Sequence, residues 1–501
     1  MEFLNPKKKR AHLRRLYIGY GLMAVALITG TFILVFAAYG YDIDRKTGGV
    51  IQNGLITIDA HPESAEIIIN NVPRGTTADR LVLPAGEYDV TLRREGYRSW
   101  SHKVSLEGST IEQLAYPFLF PNVLNAKNLQ QYPVVPSMIS ESPDKRWLLL
   151  KSPSSPSAFD LVDLTNSKNP LITVSLPNTI LTEAEGEHIF EAVEWSKDNV
   201  HLLVKHVFNG GQEFIMLDRN NALNSLNITK LFVDQQFTSV SMRDKKADQL
   251  YLFDMNASTL DTADTQTKTV VPILTQVLRY KSFQADTIAY VKSPAVTSPN
   301  NVENVELHLR QNGQDHLIRT LPISDNYLLD MAQFNGNFYA VAGGSKDGRT
   351  YVYKNPLSDL KRRPAIIPQP FRVLIVPSAE YVSFSSNTRF VAVQQANNFA
   401  VFDIETARQF RYISSIDIPA HQKATWMDGH RLSAVSGGFV HIFDFDGTNS
   451  QKLVPGLPAY QPFFDRDYTA MFVLAPVANS AEKSVLTRTE LKVAPGSQNK
   501  Q

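Results

Sequence analysis

The chain has 501 residues and carries 50 Lys+Arg against 49 Asp+Glu. That length leaves room for roughly two to four domains, each with its own core, and the balanced charge argues against a nucleic-acid footprint spread over the whole protein. No cysteine is present, which excludes disulfide frameworks, thiolate catalysis, Cys-ligated zinc and a lipid-modified cysteine anchor; such a composition suits an exported protein without proving export.

Lys7, Lys8, Lys9, Arg10, Arg14 and Arg15 crowd the first residues, and no charged residue follows from Leu16 to Tyr41. This span exceeds the ~20 apolar residues that cross a bilayer as a helix and is too long for a signal-peptide core of about 7–15. Tyr17 and Tyr20 at one end, with Tyr39 and Tyr41 at the other, fit interfacial aromatic belts. The expectation is a basic cytoplasmic tail over 1–15, a transmembrane helix over 16–41 and a linker over 42–53. The bulk then lies outside the membrane, because the basic residues precede the span while Asp42 and Asp44 follow it. Cleavage near Ala37-Ala38 is the alternative.

From residue 54, short apolar alternations (Ile56 and Ile58; Ala65, Ile67 and Ile69; Tyr88, Val90 and Leu92) are separated by turn signals at His61-Pro62, Asn70-Asn71 and Gly75-Thr76-Thr77. The pattern predicts a compact all-β sandwich over 54–117. Gly86 and Gly96 are read as turn residues needing unusual backbone freedom. The Tyr97/Trp100 pair is read as packing on the strand face rather than stacking on a sugar. Pro62, Ala65, Gly75, Thr76, Pro84, Gly86, Tyr88, Gly96 and Tyr97, in this order and spacing, resemble the PEGA domain, although Ser64 stands where its eponymous run has Gly and Ala78 where Pro is common. The resemblance implies an envelope-associated or extracellular prokaryotic module without catalytic residues.

A linker is expected over 118–135 and a repeat region over 136–495, followed by a tail at 496–501. Eight segments align, beginning at Ser142, Trp195, Met242, Phe283, Phe334, Ser385, Trp426 and Phe464. Each has a polar turn, an alternating strand, a variable tip and a second strand. The spacing falls near the ~40–50 residues of propeller blades, and closing such units into a ring leaves only short, protected edges. A seven- or eight-bladed β-propeller is predicted, the fourth unit being the weak one. The units resemble TolB-like and WD40-like blades, without the Gly-His and Trp-Asp signatures.

The chemistry-bearing motifs reduce to structure. The run from Gly343 to Thr350 has Arg349 where a phosphate-binding loop needs Lys, and lies between two strands. No Gly-x-Ser-x-Gly elbow occurs. His201 and His206 fall on opposite faces of a strand with no third ligand spaced to join them. Asp444-Phe445-Asp446-Gly447 lacks the later ligands of a calcium loop. No catalytic, cofactor-binding or metal-binding residue is assigned, and no cofactor is expected. The reading is a single-pass membrane protein of the cell envelope, non-catalytic, whose propeller binds an envelope protein or polysaccharide and no nucleic acid. The alternative is an envelope hydrolase with carboxylates from several blades converging at the channel mouth. A sensor would need its output domain from another chain.

Overall fold

The computed structural model describes the chain except for residues 1–5, 39, 44–48, 167, 169, 294–303, 363–366, 479 and 494–501. It divides into two units, 1–123 with 492–501 and 124–491. The expected tail at 496–501 and the interfacial Tyr39 lie outside the described residues.

In the smaller unit a single helix, α1, runs from Pro6 to Ala38. Its apolar stretch Lys9–Phe36 is long enough to cross a membrane and almost wholly exposed. Two boundaries differ from expectation. The helix takes in much of the basic segment, and Tyr41 belongs to strand Tyr41–Ile43, which pairs with Val50–Ile58 inside the expected linker. Tyr41 leaves the helix because Gly40 takes a φ of +74°, a turn that glycine adopts readily.

Two four-stranded sheets make the sandwich. One joins Val50–Ile58 to Tyr41–Ile43, to Asp79–Pro84 and, in parallel, to Ile111–Leu114; the other runs Val72–Thr76, Glu66–Ile69, Gly86–Arg93, Trp100–Leu106. The period-2 alternation dictates what is inside: Ile56, Ile58, Ile67, Ile69, Val90, Leu92 and Trp100 form one core. Gly54 lets the sheets meet, since a Cβ there would sit 2.6 Å from the Glu107 carbonyl oxygen. Trp100 is 2% exposed and packs edge-on against Tyr116 at 5.7 Å. Residue Val493 returns to this unit and its N–H donates to the Tyr97 hydroxyl at 2.7 Å.

The larger unit consists, among the described residues, of eight four-stranded antiparallel sheets. The first seven are built from consecutive strands, spanning 139–175, 189–227, 239–274, 277–322, 327–375, 381–413 and 425–455. The eighth takes Phe463–Phe464, Ala470–Val477 and Ser480–Glu490, and is completed by Ala126–Tyr132. The expected linker at 118–135 therefore contains a blade strand. It reads as linker because an outermost strand needs no alternating apolar face. Apolar clusters lie between neighbouring blades, and the one holding Tyr132 joins Leu148 and Leu150 of blade 1 to Phe472 and Leu486 of blade 8. The sheets thus close into a propeller.

Side-chain chemistry at the first hairpin explains the recurring turn of blades 1, 2 and 6. Ser142, Ser196 and Ser385 accept from the N–H five residues on, at 2.9, 3.0 and 3.0 Å, and donate to Asp144, Asp198 and Asn387. The tight loop forces the residue three after each serine (Lys145, Asn199, Thr388) to a φ of +57° to +59°. Neighbouring blades are also stitched: Trp195 Nε1 donates to Ser140 at 3.0 Å and Trp426 Nε1, at the same place in its repeat, to Ser383 at 3.1 Å.

Trp100→Ala should cost about 3–5 kcal/mol, as truncating a buried aromatic does, read as a lower denaturation midpoint of the small unit. An unchanged midpoint with lost polysaccharide binding would restore the ligand role. Tyr132→Ala, at the closing seam, should destabilise the propeller by a comparable ~3–5 kcal/mol; a denaturant midpoint equal to wild type would show that the seam does not hold the ring.

Candidate functional site

The propeller's inner strands and the loops that lead into them shape a cavity of about 620 Å³ between blades 7, 8 and 1. Ile139, Thr425 and Phe463 supply its inner-strand wall, and the loops at 419–423 and 458–461 supply its rim. The rim is fixed from behind. Gln422 donates through Nε2 to the carbonyls of Val435 (2.6 Å) and Pro458 (3.1 Å). Gln394, 3% exposed, takes the Ala424 N–H at 2.8 Å and donates to the Gln422 carbonyl at 2.9 Å. The hydroxyl of Tyr381 donates to the His421 carbonyl at 2.6 Å, and the Tyr460 hydroxyl to the Pro136 carbonyl at 2.5 Å. With its neighbours so pinned, the exposed Lys423 projects from a loop that cannot easily shift.

Lys423 stays solvent-accessible within the recess, yet the surrounding walls desolvate its amine and lower it from its ordinary value; Asp330 opposes that shift and Lys281 adds to it. Lys281 and Asp330 belong to the inner strands of blades 4 and 5 and sit 3.6 Å apart. Asp330 is further occupied by the N–H groups of Met331 and Phe384. Two lysines thus share one engaged carboxylate, while a second carboxylate, Glu380, accepts the His421 N–H at 2.9 Å on the same rim loop. The chemistry this supports is attraction of an anionic or carbonyl-rich group, held against Pro, Ala and Tyr surfaces.

A second group lies where blades 1 and 8 adjoin. Burial raises the Glu141 carboxyl to about 7, against the lowering effects of Lys145 and of the Phe464 N–H that it accepts at 3.1 Å; Asp465 and Asp144 raise it further. Those two aspartates are tied into their own turns by Thr469, Ala470, Ser142 and Arg146.

The sequence reading missed a buried chain in blade 2. His188 Nδ1 lies 2.8 Å from His206 Nε2, and His206 Nδ1 lies 2.8 Å from Glu213 Oε1. Burial pushes the Glu213 carboxyl up, but hydrogen bonds from His206, Thr182 and Asn227 outweigh it and bring the group down to about 2. His206 and Glu213 are 0% and 2% exposed, so no solute reaches them and the network braces the blade. His201 instead pairs with Asp198 at 2.9 Å. Sequence spacing could not reveal the chain, since His188 and Glu213 come from other segments.

The remaining motif residues fall as follows. Gly343 and Gly344 end one strand of blade 5, and Arg349 and Thr350 begin its antiparallel neighbour. The turn after Asp444 carries Gly447 at a φ of +85°. In the sandwich, Pro62 sits in the turn before Ala65, which is buried and exchanges hydrogen bonds with Thr77. Gly75 has a φ of +133° and Thr76 ends its exposed strand. The Tyr88 hydroxyl donates to the Pro84 carbonyl at 2.7 Å. Gly96 takes a φ of +80°, as a left-handed turn requires, and Tyr97 is buried. Gly86 does not fit its expected reason: its φ lies outside the left-handed region, and a Cβ there would meet only the Tyr88 ring, at 4.0 Å.

No curated protein matches the chain. Among solved structures, the tricorn protease is similar over 76% of this chain and 39% of its own, at 9% identity and a TM-score of 0.40. The dipeptidyl peptidase 4 of Porphyromonas gingivalis is similar over 72% and 58%, at 12% and 0.44. An oligogalacturonate lyase in complex with manganese is similar over 74% and 99%, at 11% and 0.37. The chain therefore spans well under half the length of the tricorn protease. For residues 53–116 the matching family is the PEGA domain.

Proposed function

We propose that this protein is an extracytoplasmic scaffold, held at a cell membrane by α1 with its N-terminus in the cytoplasm, whose propeller binds an envelope protein or polysaccharide without catalysis. The observation that carries the reading is the braced cavity with Lys423 at its rim. A rigid ring that presents dissimilar loops around one recess with a lysine at its rim is suited to recognition, whereas fold alone assigns no activity. The PEGA match and the exposed apolar helix support the placement outside the membrane. Of the nine PEGA residues, Pro62, Ala65, Gly75, Thr76, Pro84, Tyr88, Gly96 and Tyr97 are read as structural positions of the sandwich, whereas Gly86 has an ordinary backbone.

Full-length tagged chain, solubilised in detergent, should capture a partner from envelope extract. Lys423→Glu should lose most of that capture at an unchanged melting temperature; equal capture by both would remove the cavity from the reading. Protease added to intact spheroplasts should degrade the propeller and leave only the helix with its short tail. Complete protection would place the bulk inside.

Glu141 favours a second reading, a hydrolase using one carboxyl poised near neutrality. Its raised value means that the folded state prefers the protonated acid, so the stabilising preference is full below the ordinary carboxylate range and is lost as pH rises through about 7. Glu141→Gln should therefore melt closer to wild type at pH 5 than at pH 8, where it should be the more stable. Turnover of a peptide or glycan that this substitution abolishes would make the protein an enzyme.

A further inference from the structure

The sandwich carries an apolar row on the face turned away from its core. Val82, Leu55 and Ile111 are Cα partners across three adjacent strands, Val82 with Leu55 in antiparallel pairing and Leu55 with Ile111 in parallel. Partnered residues share a sheet face. Here the neighbours Ile56 and Leu83 point into the core, while Val82 and Ile111 are 65% and 69% exposed. The sequence pattern alone does not require apolar residues here, because polar outward positions such as Thr57 serve the same strands.

The row is continuous with the end of α1. A groove of about 530 Å³ is lined by Leu55, Val82 and Ile111 of the sheet, by Ala38 and Tyr41, and by the polar Asn53, Ser109 and Thr110. Tyr41 stacks on Phe36 of the helix, ring centroids 5.1 Å apart, and strand Tyr41–Ile43 begins three residues after Ala38, so the sheet face starts where the apolar helix stops. Arg80, exposed and two residues before Val82 on the same strand face, flanks the row with a long basic side chain.

We propose that this face is a lipid-contacting surface: Val82, Leu55 and Ile111 seat in the headgroup–acyl boundary of the leaflet in which α1 ends, with Arg80 reaching lipid phosphate. An exposed apolar patch with a basic flank is what an interfacial surface needs, and a long cationic side chain can lay its stem on apolar surface while its head stays with phosphate. A helix that exits the bilayer beside the patch keeps it at the interface, so each apolar side chain adds contact without a separate association step. The small module would then be seated on the membrane rather than swinging from it. This proposal rests on the reading of α1 as a membrane anchor.

The chain has no cysteine, so single nitroxide labels can be placed cleanly in the full-length protein at Val82→Cys, Ile111→Cys, Val72→Cys and Ile28→Cys. Val72 is an exposed apolar residue on the other sheet, and Ile28 lies within the helix. The protein is reconstituted in vesicles of phosphatidylcholine and phosphatidylglycerol, and relaxation by oxygen is compared with relaxation by an aqueous nickel chelate. The labels at 82 and 111 should favour oxygen several-fold over the label at 72, and the label at 28 should read hydrocarbon. Aqueous values at 82 and 111 with hydrocarbon at 28 would overturn the surface while leaving the anchor intact. An aqueous value at 28 would remove the anchor, and the surface with it. Dipolar broadening at 82 without lipid contact would assign the row to a second copy of the chain and overturn the proposal.

Discussion

The ring depends on one non-local pairing, that of Ala126–Tyr132 with Ser480–Glu490. Seven blades are made of strands consecutive in sequence, and each could form its hairpins locally. The eighth has three strands of its own and must borrow a fourth from the far end of the repeat region. The entropy of bringing such distant segments together grows only by about 0.6 kcal/mol for each doubling of the loop. A ladder of hydrogen bonds plus burial of Tyr132 between Leu148 and Phe472 offsets that easily. Without the pairing, blades 8 and 1 would each expose an apolar face, because a repeat of this kind buries its surface only against its neighbours.

Closure also explains where polar chemistry can sit. Inter-blade space is filled mainly by apolar and aromatic side chains, and Glu213 shows how a charged group is held in so dry a setting, by His206, Thr182 and Asn227. The buried Trp195 and the half-buried Trp426 hand their indole protons to serines of the preceding blade. Solvent meets chemistry at the two ends of the ring, on connecting loops whose lengths the core leaves free. The loop bearing Lys423 lies in that permitted zone, and the glutamines behind it let a surface segment hold one shape.

Much of the blade pattern was legible because its causes are local. The Ser-Pro-Asp turn at Ser142 appears as Ser-Lys-Asp at Ser196 and Ser-Ser-Asn at Ser385, and in each the hydroxyl caps the N–H five residues on. Strand alternation likewise located the core of the sandwich, and Trp100 lies where packing demanded. What stayed hidden is non-local. Strand Ala126–Tyr132 has a solvated outer edge and so no apolar rhythm to mark it as a strand. Lys423, Lys281 and Asp330 come from three blades and act on one another electrostatically only once the ring closes. Gly54 and Gly86 show the same division: the first is required by a sheet contact invisible in sequence, whereas the second sits in a Pro-Ala-Gly run that looks like a special turn but has an ordinary backbone.

Both ends of the small unit are tied down close to its sheets. Gly40 redirects the chain within two residues of the last helical residue, and strand Tyr41–Ile43 is at once locked to Val50–Ile58. A long flexible tether would let the sandwich sample many orientations; a strand paired this near the helix end removes most of that freedom. At the other end, the chain returns from the larger unit and Val493 binds the hydroxyl of Tyr97 while its side chain faces Gly96. Any residue larger than glycine at 96 would both strain a left-handed φ and press on that side chain, at 3.4 Å from a Cβ. The glycine-tyrosine pair that marks the end of a strand in the sequence is therefore also the seat for the returning chain, which gives that short run a purpose beyond ending the strand.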